Sequence, residues 1–288
     1  MRVFRHLGIA LLALVPFAVA VRPAEAVSVV GYYTFDNQDA ADLSSFMNHG
    51  TVGASVTFTT DTPGAIGGGH AARFDGTGGN AGLILVPNSP SLQALDDSLS
   101  VAFWIKMDHT ANPIWIRVTR KASEANASDG WIINRNNNTS DLLMRTDTTG
   151  VGGAFNQNRG QGVGVGMLDG QWHHYVHVRD NGTWTEYVDG VFTGSGAYPH
   201  GNGFGNTQPL LIGGRGQNMI RLLDDYSIWN GAISAEFAAY LAARWRCARS
   251  RPARCAAGVM PDRQTRLSHT LSTPAPEPTA RCCSLLSP

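Results

Sequence analysis

The side chains best suited to chemistry in this sequence are flat and aromatic. Trp104, Trp115, Trp131 and Trp184, with Tyr175 and Tyr187 on nearby segments, offer faces for the apolar C–H surfaces of sugar rings, while Asn, Asp and Arg answer the hydroxyls. Core filling is the competing use of each ring. The Asn- and Gly-rich stretches 135–141 and 156–166 would rim such a platform. Tools for covalent chemistry are scarce. Between Val27 and Ala243 the only glutamates are Glu124, Glu186 and Glu236, cysteine is absent, and no Gly-x-Ser-x-Gly elbow occurs. Neither Gly162 to Gly166 nor Gly67 to Gly69 is followed by Lys-Ser/Thr, so neither is a phosphate loop. His173 and His177 would stand roughly 13 Å apart along a strand, too far to share a zinc ion. His174 falls on the other face and reads as a core histidine hydrogen-bonded to backbone.

The elements that must hold these rings are strands. In Ser100-Val-Ala-Phe-Trp-Ile-Lys-Met107, the residues Val101, Phe103, Ile105 and Met107 share one face, and Ala102, Trp104 and Lys106 share the other. The same period places strands near 29–35, 54–59, 70–74, 82–86, 113–119, 130–135, 141–146, 172–179, 183–188, 208–212 and 221–229. Asp75-Gly76, Asp129-Gly130, Asp169-Gly170, Asn181-Gly182 and Asp189-Gly190 supply the positive φ of tight turns. Only 235–243 has helical character, with Ser234 as its N-cap. A dozen short strands and one terminal helix predict an all-β, antiparallel two-sheet β-sandwich.

Three regions differ in composition. Residues 1–26 have an export signal's form: Arg2 and Arg5, an apolar run from Leu7 to Val21, then Ala24-Glu25-Ala26 before the expected cut. That run is shorter than the ~20 residues a membrane span needs. Residues 27–243 form the expected body, with 11 basic against 19 acidic side chains, a balance that opposes nucleic-acid binding. Residues 244–288 are Arg- and Pro-rich and hold all four cysteines, Cys247, Cys255, Cys282 and Cys283. This tail is expected to be disordered, and the body to need no disulfide. Ala275-Pro-Glu-Pro278 resembles the Pro-Glu-Pro motif of a bacterial surface-sorting tag, without the apolar helix that normally follows it.

Seven motifs in order carry a family resemblance: Ala71-Ala-Arg-Phe-Asp-Gly76, Leu85-Val-Pro87, Leu99-Ser-Val-Ala-Phe-Trp-Ile-Lys106, Asp169-Gly-Gln-Trp-His-His-Tyr175, Tyr187-Val-Asp-Gly190, Pro209-Leu-Leu-Ile-Gly213 and Leu223-Asp-Asp-Tyr-Ser-Ile-Trp229. Together with Tyr32-Tyr-Thr-Phe-Asp36 they resemble laminin-G-like, concanavalin A-like jelly rolls across residues 29–243. The resemblance implies two curved sheets that bind glycans or proteins. It also implies a structural calcium joining the opening segment to the last strand, at Asp36, Asp42, Asn48, Asp224 and Asp225, with turn hydrogen bonds as the other use of these groups. Strand alternation would let only one of Asp224 and Asp225 face inward. The Glu-x-Asp-x-x-Glu string of jelly-roll glucanases is absent, since Glu186 is followed by Tyr187-Val188-Asp189. The reading is a secreted, non-catalytic module for a carbohydrate or an extracellular protein, with Trp104, Trp131, Tyr175 and Trp184 as ligand-binding residues. An enzyme of the same superfamily with unusual catalytic residues, or a structural surface protein, is the alternative.

Overall fold

The period-two pattern is met by two antiparallel sheets whose apolar faces oppose one another. The structure, a computed structural model, describes residues 27–96, 98–108, 116–122, 130–135, 139–146, 157–159, 166–197, 205–214 and 220–244. The expected export signal, the tail beyond Arg244, Trp115 and most of the two expected rim loops lie outside the described residues. In chain order the strands are β1 (Val29–Tyr33), β2 (Thr51–Val52), β3 (Val56–Thr59), β4 (Ala71–Asp75), β5 (Ile84–Val86), β6 (Ser98–Asp108), β7 (Arg117–Lys121) and β8 (Trp131–Arg135). They continue with β9 (Leu142–Thr146), β10 (Gln157–Arg159), β11 (Asp169–Asp180), β12 (Thr183–Val188), β13 (Val191–Ala197), β14 (Leu210–Ile212) and β15 (Ile220–Trp229). Helices α1 (Pro90–Gln93) and α2 (Ala235–Arg244) and a 3₁₀ turn at Gly79–Gly82 complete the described elements.

The first sheet runs β13-β12-β11-β6-β15-β4-β3, with β1 also on β15, and the second runs β10-β9-β8-β7-β14-β5-β2. The β6/β11 ladder opposes Phe103 to Tyr175, Trp104 to His174 and Lys106 to Trp172. Alternation then sends Val101, Phe103, Ile105, Met107 and Tyr175 inward, where they join Val118, Trp131, Ile133, Leu142, Met144, Leu210 and Ile212 of the second sheet in one core. The Phe103 ring stacks on Tyr226 at 5.9 Å and tilts against Tyr175 at 5.4 Å.

The outer face of the first sheet has its own apolar layer. Ala102, Val176, Val178, Tyr187 and Trp229 pack there with Ala238 and Leu241 of α2, a helix whose Ser234 Oγ accepts the Phe237 amide as expected of an N-cap. Asn181-Gly182 and Asp189-Gly190 adopt the paired positive φ of two-residue hairpin turns. Asp169-Gly170 differs from expectation: it opens β11 opposite Asp108, at a break in register, and is not a hairpin. β7 lies a few residues later than its apolar pattern placed it. β2, β10 and β13 were not anticipated; two of them are only two or three residues long, and none of the residues of β13 is buried, so it shows no core-facing alternation. Among the described residues no helix is long and apolar enough to cross a membrane.

Candidate ligand-binding site

Beyond the cover of α2, one row of the first sheet's outer face stays open. The registers align Trp172, Lys106, Leu222, Arg73 and Thr57 across β11, β6, β15, β4 and β3. The first three are half-buried and the last two exposed. Asp61, in the loop after β3, accepts a hydrogen bond from the Trp172 indole at 2.9 Å and from the Lys106 ammonium at 2.7 Å, so the indole is fixed before any ligand arrives. Partial burial pushes the Asp61 carboxyl up, but its hydrogen bonds with Lys106 and Trp172 and the Lys106 charge outweigh that and leave it below the ordinary carboxylate value. His173, on the opposite face of β11 from the indole, contacts Asp189 at 2.7 Å and Asp169 at 3.2 Å and is not part of the row. The row thus combines an indole, a short aliphatic stretch and several hydrogen-bonding groups, which is what a sugar ring requires. Trp172 was not singled out from the sequence. Its shared face with Lys106 follows from the alternation of β6 and β11, but Asp61 comes from a loop that no period places.

The four anticipated ligand-binding residues do not form one surface. Trp131 and Tyr175 are fully buried between the sheets and present no face to a ligand, a correction that follows from their inward parity. Trp184 is half-buried on the same inward side, nearly parallel to His177 at 6.5 Å, with Gly196 opposite leaving room for its ring. Trp104 does lie on the outer face, but only 6% of it is exposed; it packs on His174 at 5.2 Å and its Nε1 has no hydrogen-bond partner among the described residues. His174 is buried as expected, yet its Nδ1 has no partner among the described residues, and the backbone contact is instead its own amide donating to Asp189. Burial pushes the imidazole down to about 3 against a small opposing effect of Asp189.

Glu186 is sealed in the interior. Its Oε1 accepts the Tyr175 hydroxyl at 2.5 Å and contacts His177 Nδ1 at 2.9 Å, and the carboxylate and imidazole are both fully buried. Burial, and then the Glu186 charge, hold the Tyr175 phenol well above its ordinary value. The His177 imidazole is lowered by burial against the pull of Glu186. A carboxylate so enclosed organises the sheet interior and does not meet a solvent-borne substrate.

The residues expected to hold calcium are engaged by protein hydrogen-bond donors and acceptors. Asp42 is buried and spends both oxygens on protein donors: Oδ1 on the amides of Tyr32 and Ser44, Oδ2 on the Ser44 hydroxyl and the Asn48 amide, at 2.7–2.8 Å. Asn48 Nδ2 donates to the Val30 carbonyl and to Ser91 Oγ, and Asp36 accepts the His70 amide. A bulge in β15 opposite Trp104 and Ala102, with Asp225 at φ 47°, buries both Asp224 and Asp225, where strict alternation would have buried one. Asp225 Oδ1 accepts the Tyr32 hydroxyl and Asp224 Oδ1 accepts the Asp225 amide. Among the described residues no group of three or more His, Cys, Asp or Glu is placed to hold a metal ion. What Asp42 builds is a rigid loop whose tip exposes Leu43 by 50%, Phe46 by 43% and Met47 by 68%.

Two outcomes follow. Asp42→Asn is expected to cost about 2–3 kcal/mol in a denaturant melt, because an amide cannot accept all four donors of a charged acceptor. Acidification should also destabilise the fold through His174: the unfolded imidazole takes its proton near 6.5 and the folded one near 3. Stability is then complete above that upper value and falls as pH drops through the window, by about 1.4 kcal/mol per unit. His177, lowered as well, acts with the same sign. Melts of His174→Gln between pH 7 and 5 should show a shallower loss than wild type, and an equal loss would remove His174 as the cause.

Comparison with known proteins agrees with this architecture. No curated protein sequence matches the chain. Among solved structures, the binding domain of Paraclostridial Mosquitocidal Protein 1 superposes with a TM-score of 0.59 at 17% identity, over 75% of this chain and 52% of its own. Domain 4 of AbnA, an extracellular arabinanase from Geobacillus stearothermophilus solved with arabinotriose, gives 0.57 at 19% identity, over 76% of this chain and 100% of its own. The binding domain of botulinum neurotoxin DC, solved with rat synaptotagmin II, gives 0.56 at 13% identity, over 75% and 51%. This chain therefore spans about half the length of the toxin domains. At such identities the likeness shows the fold alone. The model of the concanavalin A-like lectin/glucanases superfamily matches residues 75–238, more than half of the sequence, and the chain belongs to that superfamily.

Proposed function

We propose that the chain is a secreted, non-catalytic binding module that holds a glycan against the open row of the first sheet's outer face. The observation that carries this reading is the half-buried Trp172 indole, fixed by Asp61 and flanked by Lys106, Leu222 and Arg73. A fixed aromatic plane spends little conformational entropy on binding, and the surrounding polar groups supply orientation. The arabinanase domain solved with arabinotriose has the same fold and supports a sugar as the ligand class. The burial of Glu186 and the scarcity of other glutamates support binding without turnover. Export rests on the amino-terminal sequence, with its basic start, apolar run and small-residue cut.

A protein partner is the second reading, favoured by the Leu43, Phe46 and Met47 tip. Three large apolar side chains held out by a buried carboxylate are an expensive surface unless something covers them.

A glycan array probed with the full chain separates the two. Specific binding that Trp172→Ala weakens by about 10- to 100-fold, the usual loss of 1–3 kcal/mol for an aromatic anchor, supports the sugar reading. Binding unaffected by Trp172→Ala would move the site elsewhere, and hydrolysis of the bound glycan would replace the module with an enzyme.

A further inference from the structure

Sheet edges invite pairing with other chains, and proteins shorten, charge or cover them. Most edges here follow that rule. β3, β10 and β2 have four, three and two residues. The free side of β1 is covered by the Asp42 loop, which answers the Tyr32 amide, the Tyr32 carbonyl and the Val30 carbonyl. β13 is the exception. It is seven residues long, Val-Phe-Thr-Gly-Ser-Gly-Ala, with no charge and no proline, and it pairs only with β12 among the described residues. Its one interruption is a bulge at Thr193.

An apolar surface adjoins this edge. Val191 is 66% exposed, Phe192 57% and Tyr240 of α2 42%. Gly190, at φ 77°, brings the start of β13 against α2 so tightly that a Cβ there would stand 2.9 Å from Ala239 Cα; Phe192 faces the α2 side, while Val191, opposite the inward Val188, is exposed on the other side of the strand. Val191 and Tyr240 are each one residue from that contact. Phe192 meets Tyr187 edge-on, on the outer side that α2 also covers.

We propose that β13 pairs antiparallel with β13 of a second copy, joining the two first sheets into one continuous sheet across a two-fold axis. A second copy fits because the body carries 19 acidic against 11 basic side chains, and like bodies can approach closely only where carboxylates are missing. The stretch from Val191 to Ala197 is such a place, and an isologous contact needs only one self-complementary surface. Antiparallel pairing turns both outer faces to the same side. The two Trp172 side chains then face one way, about 24 Å apart across five strand spacings and roughly 35–40 Å apart along the strands, because Trp172 lies three residues beyond Tyr175, the residue level with Val191, and antiparallel pairing puts the copies at opposite ends. If the sugar reading above holds, the dimer is bivalent and binds a repeating glycan with avidity.

Sedimentation velocity of the full chain, with reductant to exclude links through the tail cysteines, tests the pairing without any ligand. The expected result is a reversible dimer that Phe192→Lys weakens by at least about tenfold, because a lysine on the pairing edge opposes strand addition. Val191→Lys, at an equally exposed position, should act in the same way and guards against one variant failing to fold; a cooperative melt identifies the folded variants. A wild-type chain that stays monomeric at 100 µM, taken as roughly the limit of meaningful self-association, overturns the proposal. So does a dimer that survives in a folded variant. Because the readout is mass, loss of glycan binding alone would count against the sugar reading and not against the dimer.

Discussion

The register of β6 against β11 decides which side chains this protein offers to the outside. Both strands are long and central in the first sheet, and the ladder runs from Ser98 opposite Asp180 to Asp108 opposite Asp169. A shift of β6 by one residue would turn Phe103 and Ile105 out to water and drive Trp104 and Lys106 into the core. The aromatic cluster of Phe103, Tyr175 and Tyr226 opposes that shift. Core packing therefore fixes the outer face as well, and the Trp172 row inherits its order from contacts on the other side of the sheet.

Burial on both faces also explains how polar groups are used. Glu186, His177 and Tyr175 point into the sandwich and meet there at Glu186 Oε1. Asp42 answers four donors and so shapes the segment after β1, and the bulge at Asp224 and Asp225 brings two carboxylates into the interior where β15 changes partner from β4 to β1. Each is a charge taken from water and met mainly by hydrogen-bond donors. Such groups specify one arrangement more than they add net stability.

The strands that face the core were legible because one residue in two had to be apolar, as in β6 and β15. β13 was not, since a strand without a buried face carries no such pattern, and β10 fell inside a stretch that reads as a polar loop. The candidate site was legible only in part. Alternation put Lys106 and Trp104 on one face, but whether a tryptophan on that face is open or covered depends on α2 and on the loops, whose positions are long-range facts. Trp104 was expected to be open and is covered; Trp172 is open because Asp61 reaches it from a loop 111 positions away. At the acidic positions matched to calcium, a bulge and a set of backbone amides, neither visible in a residue pattern, decide which protein groups answer them.

The central claim is that ligand meets the outer row through Trp172 and leaves the interior rings untouched. The most direct measurement is a two-dimensional ¹H–¹⁵N spectrum of the tryptophan indole N–H groups during titration with a glycan that the chain binds. The Trp172 signal, assigned by its loss in Trp172→Ala, should move with saturation while those of Trp104 and Trp131 stay in place. A Trp172 signal that does not move while another indole does would contradict the account and place the site on a different face of the sandwich.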